Sequence, residues 1–304
     1  MSGILQIVFD ALSLGSLYAL GALGIALIFG VMRLVNFAHG DYISFCVFAM
    51  LVPSTDAMAT MFLGDLPTII LVPVILIIGG GISVLSEILI FRRLRNANPA
   101  TMMIASFALG FILKHFLLML YSSRPKSISL WPDLSLPVEI LGARLPLLQL
   151  IAIGITLAIL AALSAFLKRT RFGLEMRAAA ENFTMARMLG VRANRVILIA
   201  FAISGMLAAA IGLIMATQTG TADIQMGVSV MLVAFIATVI GGLGSLPGAV
   251  VAGFLIGAAS VLMQVVLPLE ARPFRDAFVY GAVIACLIWR PQGLFASRSA
   301  NQRV

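Results

Sequence analysis

The 304 residues are 62% hydrophobic and only 11% charged, against about 45–50% and about 25% in soluble domains. No soluble fold hides that much apolar surface, which leaves a chain built to sit in a bilayer. The formal charge of +8 does not point to nucleic acid, because the basic residues occupy short loops between apolar stretches and not one long face.

A helix needs about 20 apolar residues to cross about 30 Å of hydrocarbon. The first uncharged run, Ala11 to Met32, meets that length, follows Asp10 with no basic n-region, and is too long for the apolar core of a signal peptide. It is expected to be an uncleaved membrane helix. The runs Leu66 to Ser86, Leu145 to Leu167 and Val196 to Ala222 are also long enough, and Ile224 to Leu269 has room for two spans broken at the Gly241 to Gly248 turn. Tyr42 to Thr55, Pro99 to Leu113 and Ala277 to Trp289 are shorter between charges and need flanking polar residues to enter the membrane or snorkel. The expected fold is an all-α, polytopic bundle of about 8–9 spans, a single membrane domain over residues 1–304.

Lysine and arginine mark the cytoplasmic side. Placing Arg33, the Arg92, Arg93 and Arg95 cluster, the loop at residues 168–195 and the tail with Arg298 and Arg303 inside agrees with nine crossings. The N-terminus is then outside and the C-terminus inside, and Asp56, Asp65, Asp133, Glu139, Asp223, Glu270 and Asp276 all fall outside. Gly253 and Gly257, four residues apart, are placed to let two helix backbones approach closely in lipid.

Two segments concentrate polar groups. In the first, Arg33 to Tyr42, the shortness of Tyr42 to Thr55 requires Asn36 to Asp41 to enter the membrane or the element to be re-entrant. Ionisable groups at that depth are functional candidates; a turn in which Asn36 caps the next helix and Asp41 favours its positive end is an equal reading. The second is the loop at residues 168–195, with seven basic residues against Glu175 and Glu181. Its middle, Met176 to Leu189, favours one short helix that Gly190 stops. Such a helix docks a soluble partner or lies on anionic lipid, and composition allows both.

Glu87 is placed to pair with Arg92 or Arg93, and His115 has the character of a satisfied packing residue. Cys46 and Cys286 stand in apolar stretches without metal-ligand spacing, so neither a disulfide framework nor a metal site is expected. The sequence contains no Gly-rich loop ending in Gly-Lys-Ser/Thr, no His-Glu-x-x-His and no Gly-x-Ser-x-Gly. Catalysis, a cofactor and ATP hydrolysis by the chain itself are therefore not expected.

Three blocks carry a likeness to a known family. They are Gly15-Ser16-Leu17-Tyr18-Ala19-Leu20 running to Val35-Asn36-Phe37-Ala38-His39-Gly40-Asp41, Arg177-Ala178-Ala179-Ala180-Glu181-Asn182 with Ala186 and Leu189-Gly190-Val191, and Gly241-Gly242-Leu243-Gly244-Ser245-Leu246-Pro247-Gly248-Ala249. The chain resembles the permease subunits of ABC importers for branched-chain amino acids, of the kind that pairs with a second, related permease. The resemblance implies a homologous permease partner, two cytoplasmic ABC ATPase subunits, an extracytoplasmic solute-binding protein and a bacterial plasma-membrane location. It also implies that Arg177, Ala179, Glu181, Asn182, Ala186 and Gly190 belong to the element that couples to the ATPase. The general importer motif, Glu-Ala-Ala followed after three residues by Gly, is only partly present, since Thr184-Met185-Ala186 stands before Gly190. Asn36, Phe37, His39, Gly40 and Asp41 are the expected pathway lining or gate. Urea or short amides are alternative substrates, and a stand-alone secondary transporter or channel is the alternative class.

Overall fold

The computed structural model describes residues 2–63, 66–95, 97–131, 137–140, 143–290 and 293–295. Asp65, Asp133, Arg298 and Arg303, used above for orientation, lie outside the described residues.

The described residues are mainly helical, as a chain must be where no water satisfies backbone groups. In order, the helices are α1 (Ser2–Met32), α2 (His39–Phe48), α3 (Thr68–Ser86), α4 (Arg92–Leu94), α5 (Pro99–Tyr121), α6 (Leu147–Arg169), α7 (Arg171–Glu181), α8 (Phe183–Met188), α9 (Ala193–Thr219), α10 (Met226–Gly241), α11 (Leu246–Val266) and α12 (Arg275–Trp289). A π-helical turn, Glu87–Phe91, joins α3 to α4. Short strands form two antiparallel pairs, β1 (Lys126–Ser127) with β4 (Thr221–Ala222) and β2 (Pro137–Ile140) with β3 (Ala143–Pro146).

Among the described residues, six helices are long and apolar enough to cross a membrane: α1, α3 continued through α4, α5, α6, α9 and α11. The four uncharged runs of single-span length each became one of these. Three expectations are adjusted. The Pro99 to Leu113 run extends to Tyr121, because Lys114 and His115 are carried within a 23-residue helix; His115 is exposed and satisfies Nδ1 on the Phe111 carbonyl one turn back, at 2.9 Å. The apolar stretch Ile224 to Leu269 divides unequally, into a 16-residue α10 and a 21-residue α11. The Ala277 to Trp289 helix starts earlier, at Arg275, and still reaches only 15 residues.

The chain packs as two compact units, one of Met1–Ala26, Trp131–Ala165 and Val233–Val304, the other of Leu27–Leu130 and Phe166–Leu232. In the first, a Cβ at Gly253 would lie 2.6 Å from the Ala19 backbone, and Gly257 faces Gly15 just as closely. The four-residue spacing thus does bring α11 and α1 into backbone contact. Gln149 donates to Asp10 at 2.9 Å, and Thr238 reaches the Ala22 carbonyl at 3.1 Å. Between α10 and α11 the chain reverses through Gly242 and Gly244 at φ 95° and 94°, and the Ser245 hydroxyl caps α11 by accepting from Gly248 N at 3.2 Å.

The second unit is built on α3 against α9. A Cβ on Gly79 would meet the Gly205 carbonyl at 2.5 Å and Ala209 at 2.7 Å, so only glycine permits this approach. Phe91 packs on Phe201 near the other end, with ring centroids 5.3 Å apart. Glu87, fully buried, accepts from Arg92 at 2.8 Å and from Arg95. The expected pairing with Arg92 therefore holds, while Arg95 takes the place considered for Arg93. Arg95 continues to Asn194 at the start of α9.

Candidate functional site

The second unit contains both segments singled out in the sequence. After α1 ends at Met32, residues 34–38 run without regular structure, and α2 covers only ten residues. Ten helical residues rise about 15 Å, half the hydrocarbon thickness. The segment expected from Tyr42 to Thr55 thus starts earlier, at His39, and stops earlier, at Phe48. Asn36 to Asp41 is drawn into packed protein, where irregular backbone is tolerated because it is shielded from lipid.

Each polar group there has a traceable surrounding. Asn36 is 1% exposed; its Oδ1 accepts from Ala38 N at 3.1 Å and its amide donates to the Tyr42 hydroxyl at 3.5 Å. It caps a turn two residues ahead of α2, while the helix's own first residue has no side-chain cap. Phe37 stacks on Phe107 with centroids 4.1 Å apart, and its N–H donates to Ser106 Oγ at 3.2 Å. His39 is fully buried, with Nδ1 3.2 Å from Ser204 Oγ on α9 and Nε2 without a partner among the described residues. Asp41 is 8% exposed in the first turn of α2, where the helix dipole favours a carboxylate.

Glycines surround this half-helix. A Cβ at Gly40 would lie 2.8 Å from the Gly227 carbonyl, one at Gly212 would lie 2.9 Å from the Ile43 carbonyl, and Gly110 makes the space that the Asp41 carboxylate fills. At its far end the Tyr121 hydroxyl lies 2.9 Å from the Phe48 carbonyl and 3.0 Å from that of Leu51, adding a side-chain donor where the helix ends. The sequence reading included Gly40 but missed Ser204, Gly227 and Gly110. For Ser204 the available signal was Ser204-Gly205, a polar and a small residue side by side in the apolar middle of a span.

The second segment is two helices rather than one. Asn182 interrupts it in extended conformation (φ −148°, ψ 99°), and its side chain accepts from Met185 N at 3.1 Å, starting α8. An asparagine side chain that caps a new helix outcompetes the continuation of the old one. Gly190, at φ 89°, ends the element as expected. Ala179 and Ala186 are buried, whereas Arg177, Glu181, Asn182 and Gly190 are exposed. So are Met185, Met188 and Leu189, the last two 77% and 87% exposed.

The structure also joins the two segments. Arg33 adopts φ 55°, and its N–H closes onto the Phe29 carbonyl at 2.8 Å, a left-handed end to α1 that glycine usually supplies. A residue with a Cβ pays about 1 kcal/mol or more for that conformation. Its guanidinium donates to the Ala180 carbonyl in the last turn of α7, at 2.8 Å. Among the described residues no three His, Cys, Asp or Glu side chains group as metal ligands would.

The chain is similar to known proteins along most of its length. A model of the family described as "Branched-chain amino acid transport system / permease component" matches residues 7–288. The high-affinity branched-chain amino acid transport system permease protein BraD of Pseudomonas aeruginosa is 29% identical over 95% of both chains. The corresponding LivH protein of Escherichia coli is 28% identical over 95% of this chain and 94% of its own. The autoinducer 2 import system permease protein LsrC of Klebsiella pneumoniae is 40% identical over 34% of this chain and 29% of its own. The chain is a multi-pass membrane protein and belongs to the family of branched-chain amino acid transport system permease components.

Proposed function

We propose that this chain is the membrane-spanning permease subunit of an ATP-driven, binding-protein-dependent importer of branched-chain amino acids or related small polar solutes. The observation that carries this reading is the likeness to BraD and LivH along nearly the entire length of this chain and of theirs. The family membership counts against the stand-alone transporter or channel.

On this reading the chain works as one membrane domain in the bacterial plasma membrane, with a homologous permease, two cytoplasmic ATPases and an extracytoplasmic binding protein. Nine crossings follow if the limb at residues 33–38 with α2, and the short helices α10 and α12, are counted with the six long ones; the C-terminus is then cytoplasmic. The element at residues 168–195 seats in the ATPase. Its support is the exposed row Met185, Met188 and Leu189, apolar side chains that water alone does not explain on a basic loop. ATP binding biases two states of a gate, and each ligand shifts the balance only by its differential affinity. The half-span carrying Asn36, Phe37, His39, Gly40 and Asp41 is the gate. Its support is a buried imidazole nitrogen without a partner in a segment half the length of a span, a group positioned to bond differently in a second state.

The test is purification of the tagged chain from its own membrane in mild detergent, followed by reconstitution with labelled leucine, urea and a short amide. A second permease and ATPase chains are expected to accompany it, with ATP-dependent uptake of leucine. A lone chain that transports without ATP overturns the reading. Replacing His39 or Asp41 is expected to impair uptake with assembly intact; normal uptake by both variants removes the gate assignment.

A further inference from the structure

We propose that Arg33 is a positioning residue that transmits movement of the α7 and α8 element to the half-span bearing His39 and Asp41. The inference rests on the importer reading and names a part of its coupling device. Its basis is the hydrogen bond from the Arg33 guanidinium to the Ala180 carbonyl, at 2.8 Å. Ala180 lies in the last turn of α7, where carbonyls lack intrahelical partners and the helix end attracts a cation. Around that bond α1 rests on α7, a Cβ at Gly30 falling 3.8 Å from that of Ala180.

Two further observations give the bond its direction. From Arg33 the chain passes through residues 34–38, where Leu34, Val35, Asn36 and Ala38 are buried. This limb is held to α5 by Phe37 N donating to Ser106 Oγ and is tightened on itself by Ala38 N donating to Asn36 Oδ1, and then enters α2. An irregular limb held in this way has little slack, so a displacement at Arg33 arrives at His39 instead of being absorbed. The backbone at Arg33 is left-handed, φ 55°, a conformation that suits glycine and strains any residue with a side chain. Local geometry alone favours glycine there. What the arginine adds is reach to Ala180.

That conflict supplies a test in which a structural role and a coupling role predict opposite results. The full complex of both permeases, ATPases and binding protein is placed in proteoliposomes, and labelled leucine taken up per ATP hydrolysed is measured beside the thermal midpoint. Arg33→Gly relieves the backbone, so the midpoint is expected to stay at or above that of the unmodified protein. Uptake per ATP is expected to fall about tenfold, within the usual range of coupling between sites. Arg33→Lys, which keeps one cationic donor of similar length, is expected to stay within about threefold. Arg33→Gly at the unmodified ratio overturns the proposal. If Arg33→Gly does not assemble, Arg33→Asn replaces it, because asparagine tolerates the left-handed backbone and is too short to reach Ala180. Failure of both to assemble makes Arg33 a folding residue and also overturns the proposal. Uptake by the unmodified complex without ATP is a separate outcome that removes the importer reading itself.

Discussion

The half-span at residues 33–48 and the loop element at residues 171–190 depart from the ordinary partition of side chains in opposite directions. The first buries polar groups, with Asn36, His39 and Asp41 all under 10% exposed inside an apolar unit. The second exposes apolar groups, Met185, Met188 and Leu189, on a loop crowded with arginine. Burying polarity costs free energy unless each group finds a partner, and exposed apolar clusters mark surfaces that associate. One segment is thus built around internal contacts and the other around contacts still to be made. They should respond to substitution in different ways.

The largest effect is expected at the glycine contacts of the half-span. Gly40→Leu puts a side chain where even a Cβ lies 2.8 Å from the Gly227 carbonyl. The overpacking cost of about 3 kcal/mol should be visible as loss of detergent-resistant folded protein; a normal melt would show that the half-span is loosely held. Next comes Glu87→Ala, which strands Arg92 and Arg95 beside an apolar π-helical turn. Both arginines are partly exposed, so the expected loss is about 2 kcal/mol, below the cost for a fully buried pair. A thermal shift measures it.

The loop element should behave differently. Met188→Asp combined with Leu189→Asp leaves the chain's own melt unchanged, since both side chains are exposed. Recovery of the ATPase in pull-down should weaken about tenfold, equivalent to about 1.4 kcal/mol. Undiminished recovery would assign this row to lipid and erase the contrast between the two segments. The smallest effect is expected for Ser204→Ala, which removes the hydroxyl partner of His39 Nδ1 at about 1 kcal/mol. A fall in uptake larger than the fall in stability would place that bond in the gate.

Much of this was legible in the chain. The uncharged runs marked helices, the Gly241 to Gly248 cluster marked the reversal between α10 and α11, and Gly190 marked the end of the loop element, since turns and caps depend on residues next to one another. The extent of α2 was not legible: the shortness of Tyr42 to Thr55 announced an anomaly without locating its ends at His39 and Phe48. The break at Asn182 was missed because the alanine, methionine and leucine around it favour helix, and a single capping side chain overrode them.

Sequence alone determined that this chain is an all-α, multi-pass membrane protein with one polar segment among its spans and one basic loop between them. Those properties follow from composition and short-range pattern, which the bilayer turns into helices by refusing unpaired backbone groups. Tertiary structure decided that Gly40 meets Gly227, that His39 turns to Ser204, and that Arg33 spans 147 positions of sequence to reach Ala180. No periodicity encodes such pairs. They arise only when helices distant in sequence pack closely enough for glycine to yield space and for a long side chain to find a carbonyl that its helix left open.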